Sequence, residues 1–420
     1  MHNTPTIVAP GGSYEKAMVA SRYGAEEVYV GVPFTSLRMR QNKIYNFDDL
    51  KKTVDDLHKN GSKALLTMNI FPRNTDIKIF EQTVKQIANV GADAIIFSDP
   101  GTFHIIKKYL PNTPLHLSTQ SSTMNYAAVQ FWKDMGVKRI VFARELNLEE
   151  IKEIREKVPG MEIEVFVHGA MCMSYSGRCL LGDYMSGRPG NKGECSHACR
   201  FKYKVWLEEE RRPGKLFQLE GDESGSHILS SKDLCTIERL EEIIPYVDAI
   251  KIEGRSKSEF YVGAVVKAYK HVRDAIIANT KIDKKIANLV NVIPHREYRE
   301  GFLFNKLSKF PEGEETSENK EKQTSISYDS AGPLFNRNYF GMFSDQYREK
   351  DGKKYFHIEP KEVITPGMKI KYLSPTQMGV VEILAILDSK GNQIEKAHCN
   401  SGEVYILTNK ILEGREILYE

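Results

Sequence analysis

Residues 23–31 read YGAEEVYVG, and the same phrase returns at 90–98 (VGADAIIFS), 135–143 (MGVKRIVFA) and 246–254 (YVDAIKIEG). Each time a helix-like segment ends in glycine or a short polar turn and passes into a short run rich in β-branched residues. The glycine fits a helix C-cap, and an uninterrupted apolar run fits a strand buried on both faces. Working outward, eight such runs are found: Thr6 to Ala9, Glu27 to Gly31, Ala64 to Asn69, Ala94 to Ser98, Leu115 to Thr119, Arg139 to Arg144, Glu162 to His168 and Ala249 to Gly254. Amphipathic stretches of helical length separate them. Repeated βα units require a parallel sheet, and the step after the first run, APGGSYEKA, is only a Gly-Gly turn into a helix, without a nucleotide fingerprint. The pattern therefore favours a (β/α)8 TIM-like barrel over an open doubly wound sheet.

In such a barrel the carboxyl ends of the strands form the working face. This places Asn69, Gln120, Arg144, His168 and the segment Glu253 to Arg255 around one mouth. The barrel is assigned to residues 1–310, with an insertion at about 200–228 that reads as strands and a turn. Ser231, Lys232 and Asp233 read as the opening of a helix, DLCTIERLEEII, with Ser231 or Asp233 as N-cap. Cys235 would then sit near a helix N-terminus, where the dipole favours a thiolate. Residues 311–333 are a polar linker, beginning PEGEETSENKEKQTS. Residues 334–420 alternate short strand-like runs (KIKYL, GVVEILAIL, EVYILTN) with Gly, Pro and Asn turns, as a small all-β barrel does.

The chain has 420 residues, 41% hydrophobic and 27% charged, which is enough for two domains with their own cores and excludes disorder as a whole. No basic start followed by an apolar run marks a signal peptide, and no segment is long and apolar enough for a membrane span, so the expectation is a cytoplasmic protein without a membrane partner. A net charge of +3 permits a nucleic-acid partner without demanding one.

Four of the six cysteines, Cys172, Cys179, Cys195 and Cys199, fall on one stretch that begins where the seventh run ends, and Cys235 follows the insertion. In a reducing compartment clustered thiols favour metal binding or catalysis over disulfides. The gaps of six, fifteen, three and thirty-five residues fit a zinc ribbon poorly. Iron–sulfur ligand spacing varies widely among families, so a cluster stands first, with zinc and structural or redox cysteines as alternatives. Cys399 lies outside the stretch and is given no role.

The segment Glu164-Val-Phe-Val-His-Gly-Ala-Met-Cys172-Met-Ser-Tyr-Ser-Gly-Arg-Cys179-Leu-Leu resembles the signature of the peptidase U32 family, the collagenase-like proteases. The resemblance takes in Ala9-Pro10-Gly11, Gly193-x-Cys195-x3-Cys199-Arg200, Ser231-Lys232-Asp233-Leu234, Lys251-Ile252-Glu253-Gly254-Arg255 and the terminal β domain. By length and by that β domain the chain is most similar to the tRNA uridine-hydroxylating members. The resemblance implies a 4Fe–4S cluster on Cys172, Cys179, Cys195 and Cys235, with Cys199 as an alternate ligand. It implies prephenate as co-substrate and hydroxyl source, the wobble uridine of tRNA as target, and an electron-transfer partner.

Prephenate carries two carboxylates, so Arg144 and Arg255 are the expected anchors, with pairing to Glu145 or Glu253 as the alternative use of those guanidinium groups. His168 would donate to substrate or cluster, or serve as a hydrogen-bonded structural residue. Lys251, Lys257, Lys267, Lys270 and Arg273, with Tyr261 and Tyr269 among them, are candidates for RNA phosphate and stacking contacts, or simply a solvated helix face. Two other classes remain. One is a U32-type peptidase using Cys172 or Cys179 with His168, although the chain lacks HExxH and GxSxG. The other is a non-catalytic iron–sulfur RNA-binding protein.

Overall fold

The computed structural model describes residues 4–37, 42–172, 174–175, 179–188, 190–195, 197–200, 205–208, 216–219, 232–304, 338–410, 412 and 414–420. The expected TIM-like barrel forms. Its strands are β1 (Thr6–Gly11), β2 (Glu27–Gly31), β3 (Lys63–Met68), β4 (Ala94–Phe97), β5 (Leu115–Leu117), β6 (Arg139–Val141), β7 (Glu162–Ala170) and β8 (Ala249–Ile252). Each pairs in parallel with the next, and β8 closes the ring on β1 through Thr6↔Ala249, Ile7↔Ile250 and Val8↔Lys251. Gly24, Gly91 and Gly136, which precede three of the strands, all have positive φ, as a helix-ending glycine requires.

Capping side chains start the surrounding helices. Ser13 caps α1 (Tyr14–Arg22), Asn46 caps α2 (Phe47–Lys59), Asp99 caps α4 (Pro100–Tyr109) and Asn125 caps α5 (Tyr126–Asp134), each accepting a backbone N–H of the first turn. Asn147 and Glu150 form a reciprocal capping box on α6 (Leu148–Lys157), and Ser258 caps the long α9 (Glu259–Ile277). Of the others, α3 spans Asn74–Ile87, α7 Leu181–Ser186 and α8 Leu240–Ile243.

The barrel interior is layered. An apolar layer contains Val8, Tyr29, Leu65, Ala94, Ile96 and Ala249. Charges share the interior. Glu164, fully buried, lies between the Arg139 guanidinium at 3.1 Å and the Lys251 ammonium at 2.5 Å. Arg139 also grips Glu27 through both terminal nitrogens and meets Glu162 at 2.9 Å. The Lys251 ammonium sits 4.5 Å over the Tyr29 ring.

The helix expected at DLCTIERLEEII begins later than the sequence suggests. Asp233–Cys235 is a short strand running antiparallel to β7, with Cys235 opposite His168, and α-helix starts only at Leu240. The β7 strand continues past β6 and leaves unpaired backbone there, which this strand takes up. Of the insertion, an antiparallel ribbon of Val205–Glu208 with Leu216–Leu219 is described. Ser231 and the polar linker 311–333 lie outside the described residues.

The terminal domain is antiparallel throughout. Six strands, Tyr339–Lys350, Lys353–Ile358, Lys369–Leu373, Met378–Leu387, Val404–Thr408 and Ile417–Tyr419, form a ring closed by pairing of the third with the fourth, around Phe343, Ile358, Ile383, Ile406 and Leu418. It docks on α1 and α9. Tyr23 Oη donates to Leu373 O at 2.7 Å, Phe260 stacks on Tyr419 with ring centroids 4.8 Å apart, and a Cβ at Gly263 would stand 2.8 Å from Ile417 Cδ1. Only glycine at 263 admits this approach.

Burial opposes ionisation of Glu164, yet Lys251 and Arg139 outweigh it and hold its carboxyl at about 2, below its ordinary 4.5. His116, also in the interior, is pushed from 6.5 down to about 3 by burial, with Arg139 adding to the effect. Both groups stabilise the fold in their high-pH forms, so both contributions are lost on acidification: that of His116 from 6.5 towards 3, that of Glu164 from 4.5 towards 2. We expect Glu164→Gln to cost about 3–5 kcal/mol at neutral pH, by taking from buried Lys251 the carboxylate it pairs with and from Arg139 one of its three, and to flatten the lower acid limb. Urea unfolding of both proteins across that pH range checks this.

Candidate functional site

The floor of the mouth is a hydrogen-bonded polar layer at the strand ends. Ser36 and Thr67 share a hydrogen bond of 2.7 Å, Asn69 Nδ2 donates to Ser118 Oγ at 3.2 Å, and the Leu37 N–H donates to Asn69 Oδ1 at 3.2 Å. Arg255, at the end of the segment after β8, is buried in this layer. Its guanidinium donates to Ser36 Oγ at 2.7 Å, Thr67 Oγ1 at 3.2 Å and Leu37 O at 2.5 Å. Much of its donor capacity therefore goes to knitting the β2, β3 and β8 ends together.

Arg144 differs. It follows β6, is half-buried, and lays its guanidinium 3.8 Å over the Phe166 ring; among the described residues no carboxylate pairs with it. A small recess beside it is lined by Ala143, Phe166, Leu234, Phe302 and Leu303. Neither Glu145 nor Glu253 forms an ion pair with Arg144. A cation on an aromatic face, with its fork of donors uncommitted, is chemically suited to a carboxylate.

The cysteine stretch leaves β7 at the same mouth and folds across towards β3. The Phe71 N–H donates to Asn191 O at 3.2 Å, and Lys192 pairs with Asp76 at 3.0 Å. A Cβ on Gly190 would lie 3.6 Å from Cys195 Cβ and 4.0 Å from Cys179 O, so this turn brings Cys179 and Cys195 together. Cys172 is exposed, Cys179, Cys195 and Cys199 are half-buried, and none of the four is in a disulfide. Cys235 is set apart. Leu234 packs with Phe166 and Met171 at the mouth, while period-two alternation sends Cys235 to the other face of its strand, against Tyr269 Oη at 3.8 Å. Burial pushes the Cys235 thiol up to about 11, which corrects the thiolate expected from a helix N-terminus. In chemistry thiols suit an iron–sulfur cluster, and Cys172, Cys179, Cys195 and Cys199 share one stretch at the mouth. They are not gathered: among the described residues no three Cys, His, Asp or Glu side chains lie close enough to hold an ion.

His168 is buried in a cage of tyrosines rather than open to the mouth. Tyr269 Oη and Tyr298 Oη approach its two ring nitrogens at 3.5 Å each, and the Tyr261 ring lies 5.8 Å away. Burial holds its pKa down at about 3, so the ring is neutral at physiological pH. The tyrosines come from α9 and the strand Tyr298–Arg299, and no short-range sequence signal links them to His168.

The expected RNA-binding residues fare unevenly. Lys251 is inside the barrel on Glu164, and Arg273 is buried against Glu26, Asp274 and Pro5 O. Tyr261 and Tyr269 are buried too, so they offer no stacking face. Lys270 pairs with Asp274 at 2.9 Å, and Lys257 is half-buried with its ammonium 5.3 Å from the Tyr261 ring. Lys267 sits in the seam with the β domain, donating to Ser374 O at 2.7 Å and Pro375 O at 2.9 Å, and burial lowers its pKa to about 8. A helix followed by a second domain buries positions that its own amphipathic pattern leaves exposed. Accordingly, Lys267→Ala should lower stability by about 1.5–3 kcal/mol and leave the salt dependence of any RNA binding unchanged, as read by thermal melts and a salt titration.

Comparison with known proteins adds to this geometry. The profile of peptidase family U32 matches residues 12–310. The tRNA hydroxylation protein P of Escherichia coli (strain K12) is 37% identical over 337 residues, covering 71% of this chain and 74% of its own length. The tRNA hydroxylation protein P1 of Bacillus subtilis (strain 168) is 38% identical over 276 residues, covering 66% and 64%. The 23S rRNA 5-hydroxycytidine C2501 synthase of Escherichia coli (strain K12) is 33% identical over 272 residues, covering 64% and 39%. Among solved structures, that of the U32 peptidase Mk0906 covers 60% of this chain and 93% of its own, at 13% identity and a TM-score of 0.38. With the profile spanning the barrel, its mouth and the cysteine stretch, the chain belongs to peptidase family U32.

Proposed function

We propose that this protein is an RNA-modifying enzyme that installs a 5-hydroxyl on the wobble uridine of tRNA with prephenate as co-substrate. The observation that carries the reading is a cysteine stretch at the mouth of a barrel whose relatives are named for hydroxylating tRNA and rRNA. Arg144, uncommitted to any described carboxylate, is the anchor for a prephenate carboxylate, and Arg255 in the polar floor is the second cation of the site. Cys172, Cys179, Cys195 and Cys235 would hold a 4Fe–4S cluster, with Cys199 as alternate; the thiols would have to draw together to do so. Such a cluster supplies an iron that polarises a substrate or passes electrons. Replacing a C5 hydrogen by hydroxyl is a two-electron oxidation, so an electron-accepting partner belongs to the reading. The target base has to leave its stack to reach a barrel mouth, as base-modifying enzymes generally require.

Against the peptidase reading, burial makes His168 a weak base, and its ring nitrogens face the Tyr269 and Tyr298 hydroxyls.

The test combines mass analysis of tRNA nucleosides from a deletion strain carrying each variant with iron and sulfide analysis of protein purified without oxygen. Cys179→Ala should abolish iron binding and 5-hydroxyuridine together. Arg144→Ala should keep its iron and lower the modification about ten- to hundredfold, the worth of a charge-assisted hydrogen bond in a desolvated site. Normal 5-hydroxyuridine in both strains would sink the reading.

A further inference from the structure

Among the described residues, five aromatic side chains are more than half exposed: Phe34, Tyr45, Phe131, Tyr175 and Tyr184. Four of them lie on two loops of the mouth. Phe34 and Tyr45 stand on the loop between β2 and α2, and Tyr175 and Tyr184 stand on the cysteine stretch, with exposed Leu180 and Met185 beside them. The contacts of Phe71 with Asn191 and of Asp76 with Lys192 draw the cysteine stretch to the β3 side, next to the β2 loop. Tyr184 is 88% exposed and Tyr45 72%, so neither serves packing. Phe34 adopts φ +65°, a backbone conformation that a bulky residue takes only when its surroundings impose it.

Cations share this rim. Lys43 and Arg73 are exposed there, and among the described residues neither side chain forms an ion pair, while Asp76 takes Lys192 and the Arg73 backbone N–H. Below the rim, Thr119 Oγ1 and Gln120 Oε1 at the end of β5 are buried without a hydrogen-bond partner. The exposed rings share the rim with exposed cations, and buried hydroxyl and amide oxygens lie below it, a composition suited to stacked bases and phosphates.

We infer that the rim is a stacking platform for the unpaired bases of a single-stranded RNA loop, with Tyr45 and Tyr184 as its principal faces and Lys43 and Arg73 on the phosphates. The inference rests on the RNA reading above and assigns that substrate its contacts outside the mouth.

Fluorescence anisotropy with the full-length protein tests it, using a labelled RNA stem closed by an unpaired loop and, beside it, the blunt duplex of the same stem. Tyr45→Ala and Tyr184→Ala should each weaken loop binding about five- to hundredfold and leave duplex binding unchanged. Tyr184→Phe, which keeps the ring, should bind like the native protein. Lys43→Ala and Arg73→Ala should each reduce the slope of log affinity against log salt by about 0.7. Native affinity in both alanine variants, with the native protein still binding the loop, overturns the platform and leaves the RNA reading standing. A native protein that binds neither RNA overturns both and hands the rim to a protein partner.

Discussion

A carboxylate with no exposure, Glu164, is held inside the barrel between Arg139 of β6 and Lys251 of β8, and Arg139 reaches across to Glu27 of β2. Four strands are thereby tied through charges that cannot be solvated and cannot be left single. A closed sheet fixes which residues face inward, and a shift of one residue in any of these strands would turn its charge out into the apolar layer beneath the helices. The cluster therefore stabilises one register of closure against the others. The strand ends of that one register compose the mouth, so the positions of Asn69, Ser118, Arg144 and Arg255 depend on it.

The eight strands were legible because the cues for them are local: glycine-capped turns, runs of β-branched residues and a repeat of the same phrase. Strand ends shifted by up to three residues, and the order of the eight strands held around the barrel. The short strand Asp233–Cys235 was not legible, because its existence depends on β7 outrunning β6, which is a property of the assembled sheet. A run such as DLCTIERLEEII carries enough helix signal to hide three residues of strand at its start. The inward-facing Lys251 had a usable signal, since it stands two residues after Ala249 in the same strand and so shares its inward face, but a basic residue in a basic neighbourhood reads more readily as surface.

The site was legible in its location and only partly in its chemistry. Arg144 stands where the strand pattern placed it, and its freedom from carboxylates is a three-dimensional fact that no spacing encodes. Arg255 also reached the mouth, and there it became part of the floor. His168 illustrates the opposite case: Tyr261, Tyr269 and Tyr298 are 93 to 130 residues away in sequence, and they convert a strand-end histidine into a neutral packing element. Four cysteines share a stretch at the mouth, and the fifth, Cys235, is turned away because alternation along its strand gives the mouth face to Leu234.

The seam between the barrel and the β domain bears on how this family can change. Tyr23, Phe260, Gly263 and Lys267 spend the outward faces of α1 and α9 on the second body. A barrel cut free of it would carry an ammonium without its carbonyls, a bare aromatic face and a groove at a glycine with nothing to fill it. Such a fragment would be sticky and short-lived. Loss or exchange of the β domain would bare these faces of α1 and α9, so both helices would have to be rewritten along with it.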